Sequence, residues 1–138
     1  MPGEQSGNAP LLLDSTVCVD VLRRRPGAAR RLAERSPVGI HIATMTEAEL
    51  WYGALHARNP LDRVRVEDLL AALTILPFDR AAARAHAAAR LALRHQPIGD
   101  RDLVIASVAL AHGLTVATGN VREFARVPGL AVEDWGAA

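Results

Sequence analysis

Residues 11–23 read LLLDSTVCVDVLR: three consecutive leucines, an aspartate, then a stretch of helical pattern. The leucine run is too short for a helix and uniformly apolar, the signature of a strand buried on both faces. A strand that passes into a helix through one polar residue is half of a β-α-β unit. The same order recurs along the chain. Apolar runs at Val38 to Ile42, Leu73 to Leu76, Leu114 to Ala117 and, more weakly, Leu130 to Val132 read as further strands. Between them lie helical patterns at about Ser15 to Arg24, Gly27 to Arg35, Thr44 to Arg58, Leu61 to Ala72, Asp79 to Leu93 and Arg101 to His112. Strands separated by helices pair in parallel through right-handed crossovers. The expected architecture is therefore an α/β three-layer sandwich, a central parallel sheet of about five strands flanked by helices.

Several helix ends are also legible. Thr44 and Glu47 have the spacing of a capping box, Asp79 and Asp100 stand where N-caps are expected, and Gly113 follows His112 as a C-terminal stop. Residues 11–135 form the expected single domain, with residues 1–10 an untethered tail.

The chain has 138 residues, 50% of them hydrophobic and 22% charged, which excludes a disordered or collagen-like chain. The lone Cys18 cannot form an internal disulfide, and the five histidines lack zinc-site spacing. No stretch reads as a signal peptide or membrane span, so a reducing cytoplasm is the expected compartment. The net charge of +1 does not mark a nucleic-acid partner, yet all sixteen basic residues are arginine. Six of them fall between Val21 and Arg35 against Glu34 alone, which suits a solvated helix face or an anion-binding surface equally. The absence of lysine removes mechanisms that need an active-site amine.

Ligands of open parallel sheets collect outside the carboxyl ends of the strands. Asp14 stands at such an end, either as the N-cap of the next helix or as a site carboxylate. Glu49 shares a helical stripe with Met45, Tyr52, Gly53 and His56, a largely apolar face expected to point inward. Asp100 and Asp102 open the most apolar helix, where the macrodipole alone could account for Asp102. Thr118, Gly119 and Asn120 close the fourth strand, as a simple turn would. Singly these are weak signals. Together, three carboxylates and the neutral oxygens of Ser15, Thr118 and Asn120 fall where the topology brings strand ends together. A hard divalent cation, Mg²⁺ or Mn²⁺, is the usual resolution of such crowding.

The segments LLLDSTVCVDVLR, TMTEAELWYGA and PIGDRDLVIASVALAHGLTVATGNVREFARVPGLAVEDW resemble the PIN-domain family, specifically its VapC-like ribonuclease toxins, over about Leu11 to Trp135. The resemblance implies that Asp14, Glu49, Asp102 and Asn120 are the catalytic positions, with Asp14, Glu49 and Asp102 as metal ligands. It implies Mg²⁺- or Mn²⁺-dependent endonucleolytic cleavage of RNA by metal-activated water, and homodimerisation. It further implies neutralisation by a cognate antitoxin, with a higher toxin–antitoxin assembly. Two departures stand out: the first motif reads Asp-Ser-Thr where Asp-Thr-Asn or Asp-Thr-Ser is usual, and Asn120 replaces a fourth carboxylate. Ser15 and Thr118 are expected to support the site. Arg101 and Arg122 flank the acids either as phosphate clamps or as ion-pair partners.

Rival readings are few. Receiver domains and haloacid-dehalogenase-like phosphatases rely on an active-site lysine, and LLLDSTVC has no glycine-rich phosphate loop. The serious alternative is a non-catalytic PIN-like module that binds RNA or a protein without cutting.

Overall fold

The computed structural model describes residues 9–35 and 39–136. The expected tail and the start of the second strand at Val38 lie largely or wholly outside them. The strands are β1 (Leu11–Leu13), β2 (Ile40–Ala43), β3 (Thr74–Leu76), β4 (Thr115–Thr118) and β5 (Val132–Asp134). The helices are α1 (Ser15–Leu22), α2 (Pro26–Glu34), α3 (Thr44–Ala57), α4 (Pro60–Ala71), α5 (Arg80–Ala92), α6 (Asp100–His112) and the short α7 (Val121–Phe124). All strands pair in parallel in the order β3-β2-β1-β4-β5, so the direction of winding reverses beside β1. The expected three-layer sandwich is what forms.

The three leucines of β1 explain the layering, because successive strand residues face opposite sides. Leu12 enters one core with Ala82 and Ala89 of α5 and Ile105 and Val108 of α6. Leu11 and Leu13 enter the other, with Val17 of α1, Leu50 of α3 and Val66 of α4. All three leucines are fully buried.

Strand ends differ from the sequence reading where turns claim the residues. Leu114 donates its N–H to Ala109 O (2.9 Å), completing the stop at Gly113 (φ 65°), so β4 starts one residue later than expected. Leu130 closes a turn onto Val127 O after Gly129 (φ 79°), which delays β5 to Val132. α7 was not foreseen, since four residues carry no readable periodicity.

Two expected caps do not form. β2 runs directly into α3, so the cap position falls on buried Ala43 and Thr44 is already helical. Glu47 instead accepts a hydrogen bond from Trp51 Nε1 (3.1 Å). At α6 the cap is Gly99, which leaves Asp100 and Asp102 both inside the first turn. Asp14 and Asp79 do cap α1 and α5 through Val17 N–H and Ala82 N–H.

Candidate active site

Asp14 sits where β1 meets β4, at the reversal of strand order. Its carboxylate is 2% exposed and held on both oxygens. Oδ1 accepts from Thr16 Oγ1 (2.7 Å) and from the Val17 N–H (3.0 Å), while Oδ2 accepts from Thr118 Oγ1. Burial pushes its pKa up, and the donors from Thr118, Val17 and Thr16 hold it down against that. The cap and the site carboxylate are thus one residue in both roles.

Two hydroxyls tie the turn after β4 to this carboxylate. Thr118 Oγ1 accepts from the Asn120 N–H (2.8 Å), and Thr16 Oγ1 accepts from the Gly119 N–H (3.3 Å). Thr118 itself is fully buried, so it supports Asp14 from behind and does not reach the cleft.

Asp102 projects from the first turn of α6 and accepts from Asn120 Nδ2 (3.2 Å). Its pKa is raised to about 6, first by burial and then by the neighbouring Glu123, with Asp14 adding charge repulsion. Glu123, on α7, is held below the usual carboxylate range by its hydrogen bond with Asp102, with Asn120 and the Gly99 N–H also donating to it. The proton of this pair rests on Asp102. Sequence reasoning missed Glu123. The available signal was its spacing, three residues after Asn120, which returns its side chain to the start of α6 once a helical turn intervenes.

Glu49 approaches from α3 and is about one quarter exposed. Ser15 Oγ donates to its Oε1 (2.8 Å), and Arg101 Nη1 stands 3.4 Å from Oε2. The inward stripe expected for α3 is corrected here: Thr46, Leu50 and Ala54 face the core, whereas Tyr52 is 70% exposed and stacks on His56. Glu49 therefore lies at the edge of the packed face. Arg101 takes the ion-pair role, while Arg122 is exposed, with no hydrogen bond or ion pair among the described residues.

Asp14, Ser15, Glu49, Arg101 and Asp102 line one open cleft of about 450 Å³. Asn120 is joined to it through Asp102. The carboxylates share this cleft but stop short of a closed shell: no group of three His, Cys, Asp or Glu among the described residues is placed to hold an ion. The donor set is nevertheless all oxygen. A carboxyl whose affinity for a proton is raised by burial and by like-charged neighbours is also a place where a cation is favoured.

The comparisons agree with this geometry. Residues 11–130 match the PIN domain family model. The tRNA(fMet)-specific endonuclease VapC of Shigella flexneri is 34% identical over 127 residues, covering 90% of this chain and 96% of that protein. Ribonuclease VapC2 of Haemophilus influenzae has the same identity and coverage. Among solved structures, DNA-bound VapBC from Salmonella typhimurium superposes with a TM-score of 0.81 at 30% identity, covering 92% of this chain and 98% of that one. With an aspartate after β1, a glutamate on α3 and an aspartate on α6 gathered at the carboxyl ends of the central strands, in a chain that matches the family model over residues 11–130, this protein belongs to the PIN domain family.

Proposed function

We propose that this chain is the toxin of a toxin–antitoxin pair and an endoribonuclease that hydrolyses RNA phosphodiesters in the Asp14–Glu49–Asp102 cleft. The observation that carries the reading is the joint placement of buried Asp14 with Glu49 and Asp102 around one cleft where β1 and β4 end. Similarity to VapC ribonucleases over 90% of the chain supports the activity. Complexes of VapB with VapC among its structural neighbours support an antitoxin partner.

A hard divalent cation, Mg²⁺ or Mn²⁺, fits an all-oxygen cleft and would be held by Asp14 and Asp102, with Glu49 as third carboxylate. Magnesium commonly takes one or two carboxylates and keeps several waters, so an open cleft suits it better than a closed cage. The ion supplies Lewis-acid activation of water and neutralisation of phosphate charge. The chain's own residues do the positioning. Thr16, Val17 and Thr118 fix the Asp14 carboxylate, Asn120 orients Asp102, and Ser15 steers Glu49 toward the cleft. Arg101, which lines the cleft and pairs with Glu49, and exposed Arg122, two residues after Asn120, are the cations available to the RNA backbone.

A groove of about 310 Å³ between α1, α3 and α4, walled by apolar Leu22, Leu50 and Ala54 and by charged Arg23, Asp62 and Arg65, shares Glu49 with the cleft. It offers the antitoxin a seat from which its chain reaches the carboxylates. Tyr52 and Leu55 on α3, with Leu61 and Val64 on α4, are exposed apolar side chains that homodimerisation or a larger toxin–antitoxin assembly would cover. No helix among the described residues is long and apolar enough to cross a membrane, which accords with the proposed cytoplasmic location.

The test is cleavage of tRNA and messenger RNA by antitoxin-free protein with Mg²⁺ or Mn²⁺. Asp14→Asn and Asp102→Asn should each abolish cutting while the protein stays folded. No cleavage by the wild-type protein, with RNA still bound, would support the non-catalytic alternative.

A further inference from the structure

The exposed face of α5 carries positive charge with no ion-pair partner among the described residues. From Arg80 to Gly99 the sequence contains four arginines and no aspartate or glutamate. Arg80, Arg84, Arg90 and Arg94 are exposed and fall on one side of the helix axis, opposite buried Ala82, Ala89 and Leu93. No hydrogen bond or ion pair reaches Arg80, Arg84 or Arg90 among the described residues. Arg94 makes one bond, Nη1 to Leu91 O (2.9 Å), at the helix end.

Arg80 and Arg84 have i,i+4 spacing within the helix, where like charges cost a few tenths of a kcal/mol, and Arg94 follows Arg90 in the turn after α5. The preceding helix α4, on the other face of the sheet, shows the ordinary solution: it mixes arginines with acids and pairs Arg65 with Asp62 at 3.5 Å. Between the α5 arginines stand exposed Ala83 and Ala87, small enough to let a polymer backbone lie close. His86, Ala87, Arg90, Leu91 and Arg94 line a shallow depression of about 380 Å³.

The helix points at the candidate active site. His112, at the end of α6, lies 3.6 Å from Asp79 at the start of α5, so the two helices run antiparallel. The Arg90 and Arg94 end of α5 therefore lies beside the start of α6, where Asp102 enters the cleft. Over about 20 Å of helix, positive charge leads toward those carboxylates.

We propose that the α5 arginine face is an RNA exosite, a track that takes the phosphate backbone of the substrate outside the cleft and directs it inward. The proposal rests on the ribonuclease reading. Guanidinium forks suit phosphate, and a track whose large exposed apolar side chains are Leu91 and, at its start, Phe78 gives a folded protein partner little contiguous apolar surface to bury.

The test uses the full chain in EDTA, where binding is read without cutting, by fluorescence anisotropy of a labelled single-stranded RNA and of tRNA. Arg84→Gln/Arg90→Gln keeps helix propensity and alters exposed positions alone. At about 50 mM salt its affinity should fall roughly ten-fold, and the slope of log K against log salt should shrink by about 1.4, near 0.7 for each lost phosphate contact. Unchanged affinity and slope would overturn the exosite. So would an altered oligomeric state in sedimentation, which would assign the face to contact between copies. Lost binding of poly-glutamate with RNA affinity intact would assign it to an acidic protein and overturn it likewise. Asp102→Asn separates the two readings: retained cleavage there defeats the nuclease site, whereas the α5 variant reports on binding alone.

Discussion

Thr118 and Asp14, 104 residues apart in sequence, are joined by a hydrogen bond from the threonine hydroxyl to Asp14 Oδ2 across the β1–β4 seam. Thr118 is fully buried behind the carboxylate, so on that side no water can replace this donor. Thr118→Val keeps the shape and removes the hydroxyl. Loss of a hydrogen bond to a charged group should cost about 1.5–3 kcal/mol, measured by urea unfolding. Because Thr118 opposes the upward push of burial, the Asp14 pKa should rise further and the activity profile should move to higher pH. A variant of wild-type stability and unchanged profile would remove Thr118 from the site.

The Asp102–Glu123 pair sets a pH dependence of stability in metal-free protein. Asp102 has a folded-state pKa of about 6, above its ordinary value of 3.8. A carboxyl raised in this way binds its proton more tightly folded than unfolded, so its contribution is fully present below about pH 4 and lost as pH rises through 6. Urea midpoints in EDTA should accordingly fall between pH 4 and pH 6–7 by more in wild type than in Asp102→Asn. Glu123→Gln removes the charge that helps hold the proton and should flatten the same interval.

Thr46 presents the opposite case, a polar atom with no answer. It is fully buried in α3 and its Oγ1 has no hydrogen-bond partner among the described residues. Thr46→Val keeps the branched shape and deletes the unsatisfied group, so it should stabilise the fold by about 1 kcal/mol. Thermal unfolding of the two proteins decides this, and a destabilised valine variant would mean that the hydroxyl is solvated or bonded in solution.

What the sequence disclosed was local, and what it hid was set by packing. Leu11 to Leu13 and Asp14 could be read directly because a doubly buried strand and a cap are short-range signals. The facing of α3 could not, since both the Thr46/Leu50/Ala54 stripe and the Met45/Glu49/Tyr52 stripe contain apolar residues. Only docking on the sheet selects the smaller one, which fits closely. The Thr44 capping box failed because buried Ala43 fixed the helix start one residue early. Glu123 stayed hidden because its role exists only after α7 folds back over α6. The candidate carboxylates were legible as residues, but not the hydrogen bonds that divide their labour.

Gly53 gives access to the proposed antitoxin seat. It is exposed in the middle of α3, lines the groove between α1, α3 and α4, and a Cβ there would meet no atom within 4 Å. Gly53→Gln should therefore stabilise the helix by about 0.5–1 kcal/mol while narrowing the groove. Antitoxin affinity, followed by calorimetry or by inhibition of cleavage, should fall at least ten-fold with the RNA-cutting rate nearly unchanged. Intact inhibition would place the antitoxin elsewhere on the surface.

Arg101 can be removed to separate an ion pair from a substrate contact. Its side chain is 73% exposed and lies 3.4 Å from Glu49, a geometry in which solvent and salt leave under about 1 kcal/mol of stabilisation. Arg101→Gln should consequently leave the unfolding midpoint nearly unchanged. Releasing Glu49 from its positive neighbour leaves more net negative charge facing the cleft, so Mn²⁺ affinity should increase in calorimetric titration. If Arg101 also meets the RNA backbone, KM should rise severalfold with kcat nearly constant, because the arginine contacts bound phosphate equally before and during cleavage. A fall in kcat alone would instead make Arg101 a stabiliser of the reacting phosphate. Unchanged kinetics with tighter Mn²⁺ would restrict it to holding Glu49.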